Sequence, residues 1–414
     1  MPATNTALPG YEKALSSILE AVTASPVAKV GVRDALGLVL GGDLRVPRDM
    51  PDLPRSAVDG YAVQSDQGPE FKIVQEVRAG VLPEHSLKPG EAALIMTGAV
   101  VPHGADCVVM LEDCQRDGDQ VLARQGLQPG ALINPVGDEA AAGHLFATAG
   151  TPLTAAVHPT LFCAGLSEVP VHRPPKVALL ISGDEVLEIE DGPAPGKVFN
   201  TNRYIIEAIC AGLGISVVAS HAVHDDEKAT RDLLAELEDQ CDFIITSGGV
   251  SKGRYDHLGA ILRGDGFDMV LGGSAIKPGR PLHVAKSSAD TLVFGMPGYP
   301  SALLTNAFLY LVPALKKAAG RSDFSTRWFP VELADAMRCR PGKTYLNRAR
   351  FESIDGRWMA FDPGSQMSSH FLNFARCHGL VRMPTEAPSG HEGGAVTVEA
   401  GTYLQALDFG WELA

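Results

Sequence analysis

Cys241-Asp-Phe-Ile-Ile-Thr-Ser-Gly-Gly-Val-Ser-Lys-Gly-Arg-Tyr-Asp256 breaks from an apolar run into small and polar residues. Phe243 to Ile245 reads as a buried strand. Ser247, Gly248, Gly249 and Ser251 then place amides and hydroxyls at its carboxyl end, Lys252 and Arg254 add positive charge, and Asp256 adds a carboxylate before a helical run from His257 to Leu262. Exposed amides with a nearby cation bind anions, and a carboxylate beside them binds cations. The stretch outlines an anion-and-cation site at a strand end.

The surrounding residues repeat the pattern. Lys176 to Ile181 is a strand, Asn202 to Leu213 a helix with Ile205, Ile206, Ile209 and Leu213 on one face, Ile215 to Ala219 a strand, and Glu227 to Leu237 a helix. After the strand Cys241 to Ile245, Leu292 to Phe294 is another, and a helix from Ser301 to Ala319 closes the unit. Alternating strands and helices of this kind form a doubly wound, mainly parallel sheet. Its expected limits are residues 175–326, entered after Arg173-Pro-Pro175.

Upstream, Tyr11, Leu15, Ile18, Leu19 and Val22 have helical spacing, and Val32 to Leu40 suggests a second short helix ended by Gly41-Gly42. Prolines 47, 51 and 54 mark a boundary. Residues 51–135 then read as a small β domain of short strands (Tyr61-Ala-Val, Phe71-Lys-Ile-Val, Ala92 to Met96, Cys107 to Leu111, Gln120-Val-Leu). Mixed helical character returns from Gly137 to His172. The β domain is therefore expected as an insertion into a mixed linker domain formed by residues 1–50 and 136–174. Residues 327–414 return to short strands, with the hairpin signal Ile354-Asp-Gly-Arg357 and a final Val396-Thr-Val, as a small C-terminal β barrel or sandwich.

At 414 residues the chain exceeds one ordinary core. The net charge of −14 argues against a general nucleic-acid or membrane-surface binder, which needs a basic face. No apolar run reaches transmembrane length and the amino terminus lacks signal-peptide character, so a cytoplasmic location is expected. Seven scattered cysteines without a C-x-x-C spacing point to reduced, buried thiols.

In an open parallel sheet, ligands bind beyond the carboxyl ends of the strands. The four strands are followed by Ser182-Gly-Asp-Glu185, His224-Asp-Asp226, Ser247-Gly-Gly-Val-Ser251 and Gly295-Met-Pro-Gly298. Each alone is equally an ordinary turn or helix cap; together they share one rim. Glycine permits close approach to an anion, and Glu185, Asp225 and Asp256 supply hard oxygens suited to magnesium. Ala275-Ile-Lys-Pro-Gly-Arg-Pro281 adds Lys277 and Arg280 on a proline-fixed loop, either a phosphate clamp or a solvated pair. In the inserted domain, Asp59-Gly60 reads on spacing alone as a plain hairpin turn and Thr97-Gly98 as a strand end. His221, His224, His257 and His283 lie on separate elements, which argues against zinc. Ser182 and Ser301 lack the context of a nucleophile elbow.

Ser56-Ala-Val-Asp-Gly-Tyr-Ala62, Thr97-Gly-Ala-x-x-Pro-x-Gly-Ala-Asp-x-Val-Val109, Ser182-Gly-Asp-Glu185, Thr201-Asn202, Asp225-Asp226, Ser247-Gly-Gly-Val-Ser-x-Gly-x-x-Asp256, Lys277-Pro-Gly-Arg-Pro281 and Met296-Pro-Gly298 occur in this order. The chain thereby resembles, over nearly its whole length, the molybdopterin molybdotransferases (molybdenum insertases), which include the E domain of gephyrin. The resemblance implies a homodimer of four-domain subunits, with an α/β domain similar to molybdopterin adenylyltransferases and a C-terminal β barrel. It implies magnesium-assisted cleavage of adenylylated molybdopterin, releasing AMP, with insertion of molybdate into the dithiolene. By motif, Asp59, Thr97, Asp225 and Asp256 are implied as catalytic, and Glu185, Asp225 and Asp256 as metal ligands. Ser182, Gly183, Asp184, Ser247, Gly248, Gly249, Ser251, Lys277, Arg280, Pro297 and Gly298 are implied as pterin or phosphate contacts, with Arg348 and Ser365 as anion contacts in the last domain. Asp59 and Thr97 are expected to face the rim across the dimer. A molybdopterin adenylyltransferase and molybdoenzyme apoproteins are implied as partners.

The sequence departs from the family pattern at Asn200, where an Asp usually precedes Thr-Asn, at Gly273, where a lysine usually stands, and at Tyr299, where asparagine is usual. Ser182 replaces a common Thr, Arg280 a common Lys, and the segment after Ser365 is longer than usual. The alternatives to an active insertase are a molybdopterin-binding carrier or sensor that does not catalyse insertion, and a nucleotidyltransferase acting on the pterin; the extra domains argue against the last.

Overall fold

Residues 177–181, 243–245 and 292–294 are apolar without interruption, and in the computed structural model, which describes residues 7–223, 226–248, 257–386 and 393–413, the strands they begin, Val177–Ser182, Phe243–Ser247 and Leu292–Met296, all lie inside one sheet. A strand covered on both faces has no polar side to show, hence the unbroken runs. The spatial order is Val217–Val223, Val177–Ser182, Phe243–Ser247, Leu292–Met296, all parallel, followed by His283–Ser287 and then Phe267–Gly272, each antiparallel to the strand before it in this order. Val177 and Leu179 face a core shared with Ile206, Phe308 and Leu311, while Ala178 and Leu180 face a second core with Leu234, Leu237 and Ile261. Helices therefore cover both faces, and the sheet is doubly wound.

Two departures from the sequence reading follow from long-range pairing. The antiparallel pair Phe267–Gly272 and His283–Ser287 was not expected; each strand is short and gains its hydrogen bonds from residues more than ten positions away. The second parallel strand runs Val217–Val223 rather than from Ile215, set by its register against Val177–Ser182. The closing helical run, Pro300 to Ala318, contains a wider π turn at Ala307–Leu311 directly before Pro313, whose missing N–H cannot complete the regular ladder.

Outside this sheet, Val27–Gly31 pairs antiparallel with Glu168–His172, Val39–Leu40 lies on the other side of the latter, and Leu44–Arg45 pairs with Leu145–Ala147. The segments on either side of residues 51–135 thus hydrogen-bond to each other. The short helix expected from Val32 to Leu40 is instead a 3-10 turn, Val32–Asp34, and the strand Val39–Leu40; β-branched Val39 is taken by its partner His172. Between Gly137 and His172 the helical content is one helix, His158–Cys163. The amino-terminal helix Tyr11–Ala21 buries Tyr11, Ala14 and Ile18 in the core of the α/β sheet, not among the strands that follow it.

Between the paired segments, Gly60–Val63, Glu70–Val77, Glu91–Ile95, Cys107–Met110, Cys114–Asp117 and Gln120–Ala123 make one six-stranded sheet. At the carboxyl end, Thr344–Ile354, Arg357–Phe361, Trp328–Leu333, Tyr403–Asp408 and Gly379–Met383 pair in that order, and the last pairs again with the first, closing a five-stranded barrel. Asp355 and Gly356, with φ of 51° and 76°, form the turn that Asp-Gly signalled. Val396–Val398 stands outside the barrel, paired with Met337–Cys339. Ile276–Lys277 adds to the barrel strand at Thr344–Tyr345, joining the two units. All seven cysteines are free, and Cys163 is exposed rather than buried.

Candidate functional site

The strand order reverses between Val177–Ser182 and Phe243–Ser247, because the chain goes to one side of its first strand and then to the other. The crevice left at such a reversal receives ligands. Here its two walls touch. Ser182 Oγ donates to the carbonyl of Ser247 at 3.3 Å. Gly248 has φ +94°, and a Cβ there would lie 2.7 Å from both the carbonyl oxygen and Oγ of Ser182, so only glycine closes the wall. A Cβ on Gly298 would come within 3.9 Å of the Gly248 Cα, placing the two glycines side by side, with Pro297 buried behind them.

On the other wall, Gly183 has φ +137°, and a Cβ there would meet Glu185 Oε2 at 2.9 Å. Glu185 and Asp184 are exposed, and the Asp184 carbonyl accepts from Lys197 Nζ at 2.5 Å. Asn200 caps the helix Thr201–Gly212: its Oδ1 accepts from the Arg203 amide at 3.2 Å, while Nδ2 donates to Glu188 Oε1 at 2.7 Å. Ser182, Gly183, Asp184, Glu185, Ser247, Gly248, Pro297 and Gly298 are thus brought to one rim. Asp225, Gly249, Ser251 and Asp256 lie outside the described residues. Among the described residues no three His, Cys, Asp or Glu side chains are grouped to hold a metal ion.

The loop Ala275–Pro281 holds Lys277 and Arg280 exposed at the seam with the barrel. Lys277 Nζ sits 5.3 Å from the centroid of the Tyr345 ring. Asn306 Nδ2 donates to the Gly279 carbonyl at 3.0 Å and fixes the loop from below. Gly273 is buried with φ +124°, and a Cβ there would meet Leu8 Cδ2 at 3.1 Å; the neighbouring Ala275 amide donates to the Pro9 carbonyl at 2.8 Å. The amino-terminal segment covers this position.

Asp59 and Thr97 come together in the inserted sheet. Both the amide and the hydroxyl of Thr97 donate to Asp59 Oδ1, at 2.6 and 2.7 Å, and these bonds hold the carboxyl below its ordinary range. Asp59-Gly60 is not a hairpin turn: Arg55–Ser56 pairs with Ile133–Asn134, and Gly60 is required because a Cβ would lie 2.1 Å from the Val109 carbonyl oxygen.

Arg348, which the resemblance implies as an anion contact, is turned inward. The side chain is buried, and its guanidinium donates to the carbonyls of Ser365 (2.7 Å), Met367 (3.0 Å) and His370 (2.5 Å) and to Asn373 Oδ1 (3.0 Å). Burial pulls its pKa down. The fork that would grip an oxyanion is committed to the long segment after Ser365, whose Phe374 ring lies 5.1 Å from the guanidinium. Ser365 is exposed, but its hydroxyl accepts from the Met367 amide at 3.3 Å. Two contributors went unassigned in the sequence reading. Glu188 carried no motif signal. Asn202 stood in Thr201-Asn202, and its Nδ2 donates to Ser247 Oγ at 2.6 Å and to the Gly298 carbonyl at 2.8 Å.

Residues 10–165 match the family described as MoeA N-terminal region (domain I and II), and residues 178–317 the one described as probable molybdopterin binding domain. The molybdopterin molybdenumtransferase of Bacillus subtilis strain 168 is 30% identical over 391 residues, covering 91% of this chain and 89% of its own. Molybdopterin molybdenumtransferase 2 of Mycobacterium tuberculosis H37Rv is 30% identical over 404 residues, covering 94% and 97%. The solved structure of a molybdopterin biosynthesis MoeA protein from Pyrococcus horikosii superposes with a TM-score of 0.82 at 25% identity, over 97% of this chain and 99% of that one.

Proposed function

The chain belongs to the family of molybdopterin molybdenumtransferases, the MoeA proteins, and from that membership we propose that its rim cleaves adenylylated molybdopterin, releasing AMP, and inserts molybdate into the dithiolene. The observation that supports this most is the close approach of Ser182 and Gly248 across the strand reversal, which brings two hydroxyl-and-glycine strand ends to one crevice. Backbone amides and the Ser247 hydroxyl hold phosphate oxygens there, with Ser182 bracing the Ser247 carbonyl beside them. Lys277 and Arg280, exposed at the seam, neutralise charge on the nucleotide and on the incoming oxyanion.

Magnesium, when bound, draws charge from the pyrophosphate as the phosphoanhydride is broken. Glu185 fits a ligand role: it is an exposed carboxylate at the rim with no ion pair among the described residues. Asp225 and Asp256 complete the proposed set. Asp59, kept ionised by Thr97, acts with it as a second acidic station, reaching the rim of the other subunit in a homodimer. A cytoplasmic location, exchange with a molybdopterin adenylyltransferase and delivery to molybdoenzyme apoproteins belong to the same proposal. Among the described residues no helix is long and apolar enough to cross a membrane.

One observation favours a non-catalytic carrier: position 273 is covered by Leu8 and offers no cation. Purified protein supplied with adenylylated molybdopterin, magnesium and molybdate is expected to release AMP and yield active cofactor. Tight pterin binding without AMP release would overturn the transferase chemistry and leave the carrier.

A further inference from the structure

Asn202, in the first turn of the helix Thr201–Gly212, is buried, and its Nδ2 bridges oxygens from two different strand ends, Ser247 Oγ and the Gly298 carbonyl. The orientation of this amide is fixed by its partner. A carbonyl oxygen only accepts, so the NH2 end faces Gly298, and the flipped amide would set oxygen against oxygen. With Nδ2 held there, Ser247 Oγ is an acceptor toward Asn202, and the serine proton must point elsewhere. Among the described residues that proton has no acceptor; Asn202 Oδ1 has no partner either. Ser247 is only 3% exposed, and a buried hydroxyl proton left unpaired is costly.

We propose that Asn202 is a positioning residue of the crevice, directing the Ser247 hydroxyl proton to an oxygen of the bound ligand, a phosphate oxygen of the pterin nucleotide. The assignment rests on the reading above that this rim binds phosphate. A phosphate oxygen carries charge, accepts strongly and supplies the partner that the serine lacks among the described residues. Asn202 also ties Gly298 to Ser247, so the same amide sets the spacing between the glycines that border the crevice.

The test is calorimetric titration with AMP as the phosphate probe, with thermal unfolding to confirm folding and the AMP-release assay run in parallel. Ser247→Ala and Asn202→Ala are each expected to weaken AMP binding about tenfold, and the double variant to be no weaker than the weaker single one. Asn202→Asp separates positioning from packing: its carboxylate only accepts and takes the serine proton for itself. It should therefore impair binding at least as much as Asn202→Ala although it leaves no cavity, whereas a packing role gives the opposite order. The proposal is overturned if wild type does not bind AMP, if Ser247→Ala binds it as wild type does, if the two losses multiply, or if Asn202→Asp is the milder substitution. Should the Asn202 variants not fold, Ser247→Ala decides alone. Wild type that shows this binding pattern yet releases no AMP from adenylylated molybdopterin removes the reaction and keeps the positioning role. Turnover with wild-type AMP affinity in Ser247→Ala does the reverse.

Discussion

Asn200 Nδ2 donates to Glu188 Oε1 at 2.7 Å, so the residue that caps the helix Thr201–Gly212 also neutralises the approach of a carboxylate. Arg203 NH1 stands 3.6 Å from the other oxygen of Glu188. An aspartate at 200 keeps the cap but loses the donor, and two carboxylates then face each other. Asn200→Asp is expected to cost about 1–2 kcal/mol at pH 7. Repulsion raises a folded-state carboxyl pKa, so the deficit is present above that pKa and disappears as pH falls below the unfolded value. Melting curves at pH 7 and pH 3 check this, and adding Glu188→Gln should recover the loss at pH 7.

Gly248→Ala forces a Cβ to 2.7 Å from two Ser182 oxygens at a φ of +94°. The strand ends must separate. AMP release is expected to fall about 100-fold, the scale on which a misplaced site of an ångström acts, with a lowered melting temperature but an intact circular dichroism spectrum.

Thr97→Val removes one of the two donors on Asp59 Oδ1 and leaves the amide. The Asp59 carboxyl, held low chiefly by the Thr97 amide and then by its hydroxyl, should titrate closer to its ordinary 3.8. A lowered folded pKa stabilises above the unfolded value and is lost as pH falls through the folded one, so wild type and variant should converge in stability only in strong acid. Carbon-13 NMR titration of Asp59 reads the shift directly.

Lys316 Nζ and Glu412 Oε2 lie 3.2 Å apart with both side chains fully buried, joining the closing helix of the α/β unit to the short helix Phe409–Leu413. Glu412→Ala strands an ammonium in the core and is expected to cost about 3–5 kcal/mol. Lys316→Met with Glu412→Leu should recover most of it in urea denaturation.

Arg348→Lys keeps the charge but has one nitrogen where the guanidinium serves five oxygens. Amide hydrogen exchange across residues 365–376 is expected to accelerate, with the barrel strands unchanged. Unchanged exchange together with weakened molybdate binding would return Arg348 to the role of anion contact.

The parts legible in the sequence were those written locally. Val177 to Ile181 and Phe243 to Ile245 are apolar without a break because both faces are covered, and Asp355-Gly356 forms a tight turn because few other pairs accept positive φ twice. The motif glycines pointed to the rim because close approach needs the absence of a side chain. Other features depended on partners distant in the chain. The helix expected at Val32–Leu40 gave way to a strand because His172, more than 130 residues on, supplies its pairing. The amino-terminal helix is amphipathic by sequence, but which core it joins was set by partners such as Tyr310 and Trp328, whose rings each lie 5.8 Å from that of Tyr11. The motif position of Arg348 reads as an anion contact, and only the path of the following segment, returning carbonyls to it, made it a structural anchor. In the crevice, sequence determined which strand ends carry glycine and hydroxyl, and the fold decided what each donor faces: Asn202 meets a carbonyl 96 residues away, and an amide's orientation depends on that partner. Periodicity and turn chemistry act over a few residues, whereas the direction of a buried hydrogen bond is set by whichever distant groups packing brings within reach.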